Sequence, residues 1–230
     1  MEKRFVVGPE TVRMLELGHP WVIADRYTRG WPQGRAGDLI ELCDAHGKRL
    51  ATALYEPGER VVARVLGPGR LRLDAAWVEE QLRAALALRE HHLDLDGTDA
   101  YRLVNGEGDG FPGLSVDRYR DHLMVQLFAG SWRPHLPLLV AALQKLLAPA
   151  GIYEKLRPQQ TRELAAAGPD KRYARLLAGK GAPGRMPVQE NGLTFLVELE
   201  EGLNTGLFLD QRENRRDLVG RVAGRSVLNL

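Results

Sequence analysis

At 230 residues, with 44% hydrophobic and 27% charged positions, the chain has the makeup of a globular protein with room for one large or two small domains. A formal net charge of +2 permits a nucleic-acid partner without demanding one. The single cysteine, Cys43, excludes an internal disulfide, the opening "MEKRFVVGPE" lacks the apolar stretch of a signal peptide, and no apolar run would span a bilayer, so a cytoplasmic protein without membrane attachment is expected.

The first part reads as β-rich. "RFVV" is a short strand, and residues 9–20 form one or two helical turns opened by Pro9 and closed by Gly18 and Pro20. "WVIADRYT" (residues 21–28) alternates as a half-buried strand does. Residues 38–57 give two strands around a turn at Ala45-His46-Gly47, and "RVVARVLG" gives another before "GPG". Short strands with tight turns predict a small barrel-like β domain.

The pattern then changes. "DAAWVEEQLRAALALREHHLDL" (residues 74–95) has Asp74 at the N-cap and apolar residues at helical spacing. "GLSVDRY" and "HLMVQLF" read as an antiparallel pair turning at Arg120-Asp121. Residues 134–148 form a second helix stopped by Pro149 and Gly151, and "GIYEKL" is a strand. Residues 157–186 are mixed, basic and rich in Gly and Pro, and read in part as loop. "VQENGLTFLVEL" is a hairpin turning at Asn191-Gly192. The middle is therefore an α+β unit.

Most of the short motifs have plain explanations. "GDGFPG" (residues 108–113) matches a G-x-G-x-x-G string, but Pro112 and "LSVDRY" make the next segment a strand, not the helix a dinucleotide loop opens; a tight turn is the better reading. Glu107 and Asp109 in so compact a loop suit backbone hydrogen bonds. "GKGAPGR" lacks the Ser/Thr of a phosphate loop. His91 and His92 are helix neighbours that point apart, so a shared metal is not expected. Cys43 lies among apolar strand residues and reads as a buried, inert thiol. In "LFLDQRENRRDL" (residues 207–218), Asp210 and Glu213 fit a capping box. Arg212, Arg215 and Arg216 put positive charge at a helix N-terminus, against the dipole, either as a solvated face or to meet an anion.

"HPWVI" (residues 19–23), "YRLVNGEGDGFPGLSVDRY" (101–119), "NTGLFLDQRENR" (204–215) and "VLNL" (227–230) resemble, in the same order, the large-subunit rRNA cytosine-C5 methyltransferases that carry an N-terminal PUA domain. The resemblance implies an α+β chain: a PUA-like RNA-binding barrel at 1–70, a central α+β domain at 71–203, and at 204–230 the start of a Rossmann-like methyltransferase domain. "SVLNL" would be its first strand, and the cofactor loop and catalytic cysteine would lie beyond Leu230. It further implies a chain that is inactive by itself but retains RNA-binding surface. S-adenosylmethionine would be the cofactor of the complete enzyme, structured RNA such as 23S rRNA the partner, and a homodimer is left open. The implied RNA contacts are Lys3, Arg4, Arg13, His19 and Arg26, with Arg215 and Arg216. Trp21 falls in the same stretch but reads as core, and His19 doubles as a helix-end hydrogen bonder. Gln211 and Arg212 are implied to touch the cofactor or target nucleotide. A stand-alone PUA-type RNA-binding protein and a methyltransferase acting on another RNA or base remain alternatives.

Overall fold

The computed structural model describes residues 4–156 and 173–228. The chain divides into two compact units that interleave along the sequence. One comprises Met1–Leu86, Val104–Ser115 and Gln126–Ala148; the other comprises Ala87–Leu103, Val116–Val125 and Pro149–Leu230.

In the first unit, strands β1 (Phe5–Val6), β2 (Trp21–Ile23), β3 (Leu39–Cys43), β4 (Arg49–Tyr55) and β5 (Val61–Pro68) form one sheet in the order β1-β3-β4-β5-β2. β1 runs parallel to β3 and the other pairings are antiparallel. The order ends at β2 without returning to β1, so the expected barrel is a curled half-barrel with β2 at one edge. Alternation along the strands sends Ile40, Leu42, Ala51, Ala53 and Tyr55 into one apolar cluster. Full burial of a side chain such as Leu42 contributes about 1.5–3 kcal/mol. Helix α1 (Pro9–Glu16) starts on Pro9, as expected, and packs Val12 and Leu15 against that cluster. Phe5, Trp31 and Tyr55 meet edge-on or tilted at 5.4–5.9 Å, and the Trp31 indole donates to the Val6 carbonyl at 2.6 Å.

Asp74 caps α2 (Ala75–His92) as expected, its carboxylate accepting from the Trp77 N–H at 3.0 Å. A second sheet contains β6 (Ala100–Asn105), β7 (Leu114–Tyr119), β8 (His122–Leu127), β9 (Gly151–Lys155) and β10 (Ala174–Gly179), in the order β10-β9-β8-β7-β6. The turn from β7 to β8 falls at Arg120, whose φ is 58°. Helix α3 (Leu136–Leu147) ends in the left-handed Ala148. In the second unit β11 (Arg185–Glu190) and β12 (Leu193–Glu198) form the expected hairpin. Asn191 and Gly192 both take positive φ, 50° and 77°, as a type I′ turn requires. Met186, Val188, Val197 and Leu199 join Tyr119, Met124 and Tyr153 in that unit's core.

Several expectations are corrected. The strand from Trp21 stops at Ile23, because Asp25 accepts from the backbone N–H groups of Tyr27 and Thr28 and turns the chain. "YRLVN" is strand β6, and part of the stretch read as loop is strand β10; residues 157–172 lie outside the described residues. The capping box does not form. Gln211 is the N-cap of α4 (Arg212–Arg221), without a side-chain cap, and Asp210 belongs to the preceding 3-10 turn. "SVLNL" is expected as a strand, but residues 226–228 lie in no regular element, and Asn229 and Leu230 are outside the described residues. A strand needs a neighbour to take its backbone groups, and among the described residues none pairs with this segment.

Candidate nucleic-acid interface

The first unit gathers an aromatic and basic surface along residues 19–29. On edge strand β2, Val22 is fully buried while Trp21 and Ile23 face outward, each 38% exposed. The expectation that Trp21 is core fails because β2 has one strand neighbour, β5, and only one of its faces is covered. The Trp21 backbone N–H donates to His19 Nδ1 at 3.2 Å, and the two rings meet edge-on at 5.9 Å. His19 therefore ties the exit of α1 to the start of β2. Arg26 is exposed; its guanidinium lies 4.9 Å from the Tyr27 ring centroid and donates to the Tyr27 hydroxyl at 2.9 Å. Tyr27 in turn covers Gly8, where an added Cβ would come within 2.5 Å of the ring.

Behind this surface runs a chain of polar contacts that leads from exposed to buried groups. The Trp21 indole N–H donates to Glu107 Oε1 at 2.7 Å. Glu107 belongs to the 3-10 turn Gly106–Asp109, which Asp109 closes by accepting from the Asn105 N–H at 2.5 Å. Arg64, opposite Trp21 on β5, reaches Glu107 at 3.5 Å and Glu56 at 3.1 Å. Glu56, 6% exposed, also accepts from the Gly130 N–H at 2.6 Å and from the Ser131 N–H and hydroxyl at 3.3 Å. Arg64 passes directly over Gly113, where a Cβ would stand 3.0 Å from Nε and φ is +81°. The glycines and acids of "GEGDGFPG" are thus used to seat Arg64 and Trp21, and β7 begins at Leu114 in place of the helix a dinucleotide loop needs. Sequence reasoning misses both Glu107 and Arg64 as contributors to this surface. The available signal is two acids in a loop too small to waste them.

The remaining expected contacts lie apart from this strip. Arg4 is exposed and lines an open groove of about 490 Å3 with Gln33, Asp38, Glu41 and Arg49. Arg13 is exposed on α1 and pairs with Glu10 at 3.0 Å. Lys3 lies outside the described residues. In the second unit, Arg215 makes two 2.7 Å bonds to Glu190, which is 1% exposed, and a third to the Phe208 carbonyl. Glu213 holds both Arg212, at 2.8 Å, and Arg216. Arg212 is 5% exposed, and its Nη1 is a buried donor that finds no acceptor among the described residues. Gln211 is exposed and accepts from the Asn214 amide at 2.7 Å. Nearby, Thr205 and Tyr119 meet through their hydroxyls at 2.8 Å, and burial pushes the Tyr119 phenol far above its usual range. Cys43 is buried as expected, and burial raises its thiol, leaving little thiolate at neutral pH. Among the described residues no group of His, Cys, Asp and Glu is placed to hold a metal ion, and no helix is long and apolar enough to cross a membrane.

Residues 5–68, which contain β1 to β5 and the Trp21 strip, match the family model described as a PUA-like domain. This half-barrel is therefore similar to PUA-like domains. Over nearly its whole length the chain is similar in sequence to large-subunit ribosomal RNA methyltransferases. It is 32% identical over 231 residues to Ribosomal RNA large subunit methyltransferase I of Klebsiella pneumoniae, covering 98% of this chain and 56% of that protein. It is 36% identical over 217 residues to a Deinococcus radiodurans ribosomal RNA large subunit methyltransferase, covering 92% and 53%. Among solved structures, a Streptococcus mutans protein described as a SAM-dependent methyltransferase superposes with a TM-score of 0.79 at 25% identity, covering 95% of this chain and 54% of its own. A second, a methyltransferase complexed with SAH, gives the same TM-score. The chain spans a little over half the length of the curated relatives it matches. Within this half-barrel, the stretch that carries Trp21, Ile23 and Arg26 combines exposed aromatic, apolar and basic side chains.

Proposed function

We propose that this chain is the RNA-binding and positioning portion of a SAM-dependent large-subunit rRNA methyltransferase that acts at C5 of cytosine. The observation that carries it is the aromatic and basic edge of residues 19–29, built on a PUA-like domain in a chain homologous to rRNA methyltransferases. In this reading Arg4, Arg13, His19 and Arg26, with Lys3, contact RNA backbone. Arg216 adds to them once it leaves Glu213, whereas Arg215 acts by fixing α4 through Glu190.

S-adenosylmethionine supplies the methyl group as a sulfonium. In this reading Arg212, whose buried Nη1 finds no acceptor among the described residues, would hold the carboxylate of such a group, with Gln211 next to it at the N-terminus of α4. Methylation at C5 also calls for a thiolate that adds to C6 of the base. The only cysteine in the sequence, Cys43, is a core residue of β3 with a raised pKa and does not serve. These residues therefore bind and orient RNA without transferring a methyl group by themselves.

A fluorescence-anisotropy titration of the chain with a labelled 23S rRNA hairpin across a salt series tests the RNA reading. Affinity should fall steeply with salt, by about 0.7–0.9 log units per log salt for each phosphate contact. The pair Arg13→Gln and Arg26→Gln, both at exposed positions, should flatten that slope by roughly one to two. Salt-independent affinity, or none at low salt, contradicts it.

A further inference from the structure

Resting on the RNA-binding reading, we infer that Trp21 is a stacking platform for an unpaired RNA base, held in place by Glu107. Trp21 is a large apolar side chain left 38% exposed at a sheet edge, yet it is fixed from several directions. Its indole N–H is bound to Glu107 at 2.7 Å, its backbone N–H to His19 at 3.2 Å, and the Arg64 guanidinium lies 5.7 Å from its ring centroid. Glu107 is in turn braced by Arg64, and Arg64 by the buried Glu56. A hydrogen-bonded chain that starts in the interior and ends on a solvent-facing indole does little for packing. Its effect is to pre-orient the ring, which lowers the entropy lost when something stacks on it.

Tyr27 is 37% exposed as well, but its ring packs against Gly8 and its hydroxyl is held by Arg26, whose guanidinium lies closer to that ring (4.9 Å) than the Arg64 guanidinium does to Trp21 (5.7 Å). The occupant of the Trp21 face is an unpaired base, not an apolar peptide, because exposed arginines follow it along the same edge while the acid beside the ring, Glu107, is engaged by the indole N–H and Arg64. Arg26 and Arg29 come next in the chain, and the Arg60 carbonyl accepts from the Ala24 N–H at 2.8 Å, which sets Arg60 beside the end of β2. A phosphate backbone tracked by these cations would lay its bases toward the indole. Bases in a duplex are already stacked on one another, so the platform distinguishes single-stranded RNA from paired RNA.

The test uses the 230-residue chain, a labelled 12-nucleotide oligoadenylate and a blunt 12-base-pair RNA duplex, with anisotropy for affinity and tryptophan emission for stacking. The wild type should prefer the single strand and show quenched emission on binding it. Trp21→Ala should cut single-strand affinity by about 5- to 100-fold and bring the single-strand to duplex ratio close to one, while Trp21→Phe keeps most of the preference. Glu107→Ala should give a smaller loss of the same ratio. Duplex binding with no single-strand preference, or a Trp21→Ala variant that keeps its preference, overturns the platform and leaves RNA binding standing. Failure to bind either RNA at low salt, with binding of poly-glutamate instead, overturns both.

Discussion

Replacement of Glu56 by alanine is expected to lower the stability of the unit that contains the half-barrel by about 3–5 kcal/mol, the cost of removing one partner from a buried charge pair. The Glu56 carboxylate is 7% exposed and the Arg64 side chain 13%. Without Glu56, Arg64 Nε and the donors of Gly130 and Ser131 lose their acceptor in a region with little access to water. Glu56→Gln keeps one acceptor but turns an NH2 group toward donors, so a loss of about 2 kcal/mol is expected. Urea unfolding followed by tryptophan emission measures this, with Trp132 close in sequence to the lost contacts and itself only 1% exposed. Because Arg64 braces Glu107, the same variant should broaden the Trp21 environment before it unfolds. A change below about 1 kcal/mol would mean that water already reaches the network.

The second large effect is at Arg215. Arg215→Ala leaves Glu190, 1% exposed, as a buried carboxylate without its bidentate partner, and should cost about 3 kcal/mol. It also frees the Phe208 carbonyl, which anchors the segment leading into α4. Arg216→Ala removes only an exposed contact to Glu213 and should change stability by less than about 0.5 kcal/mol. Thermal unfolding of the two variants side by side separates them. Equal, small effects would return both arginines to the role of a solvated face. The contrast matters for RNA binding, since only a folded Arg216 variant reports on charge.

The regular elements are legible where local chemistry decides them. Asn191-Gly192 admits positive φ at both positions and so fixes the hairpin, and Asp74 marks the start of α2. Apolar runs bounded by tight turns place β3, β4 and β5. The illegible features depend on partners distant in sequence. β10 is a poor strand by composition and holds because β9 pairs with it, with Ala174 opposite Lys155 and Gly179 opposite Gly151. At Gly151 an added Cβ would run into the Lys180 carbonyl oxygen, a constraint that only the paired backbone reveals. Trp21 reads as core because an alternating strand does not declare that it is an edge. The arginines after Asp210 read as a free positive patch because Glu190, the partner of Arg215, lies 25 residues away. The acids of "GEGDG" stand out in the sequence, but their purpose requires Arg64 and Trp21, which lie 43 and 86 residues from Glu107.

Ultraviolet crosslinking of the chain to 23S rRNA, with mass spectrometry of the attached peptides, tests most directly whether the PUA-like edge is where RNA binds. The expected result is crosslinks concentrated in residues 19–29, led by Trp21, and reduced by Trp21→Ala and by high salt. Crosslinks confined to the β11–β12 hairpin and α4, or spread evenly over the surface, would contradict it.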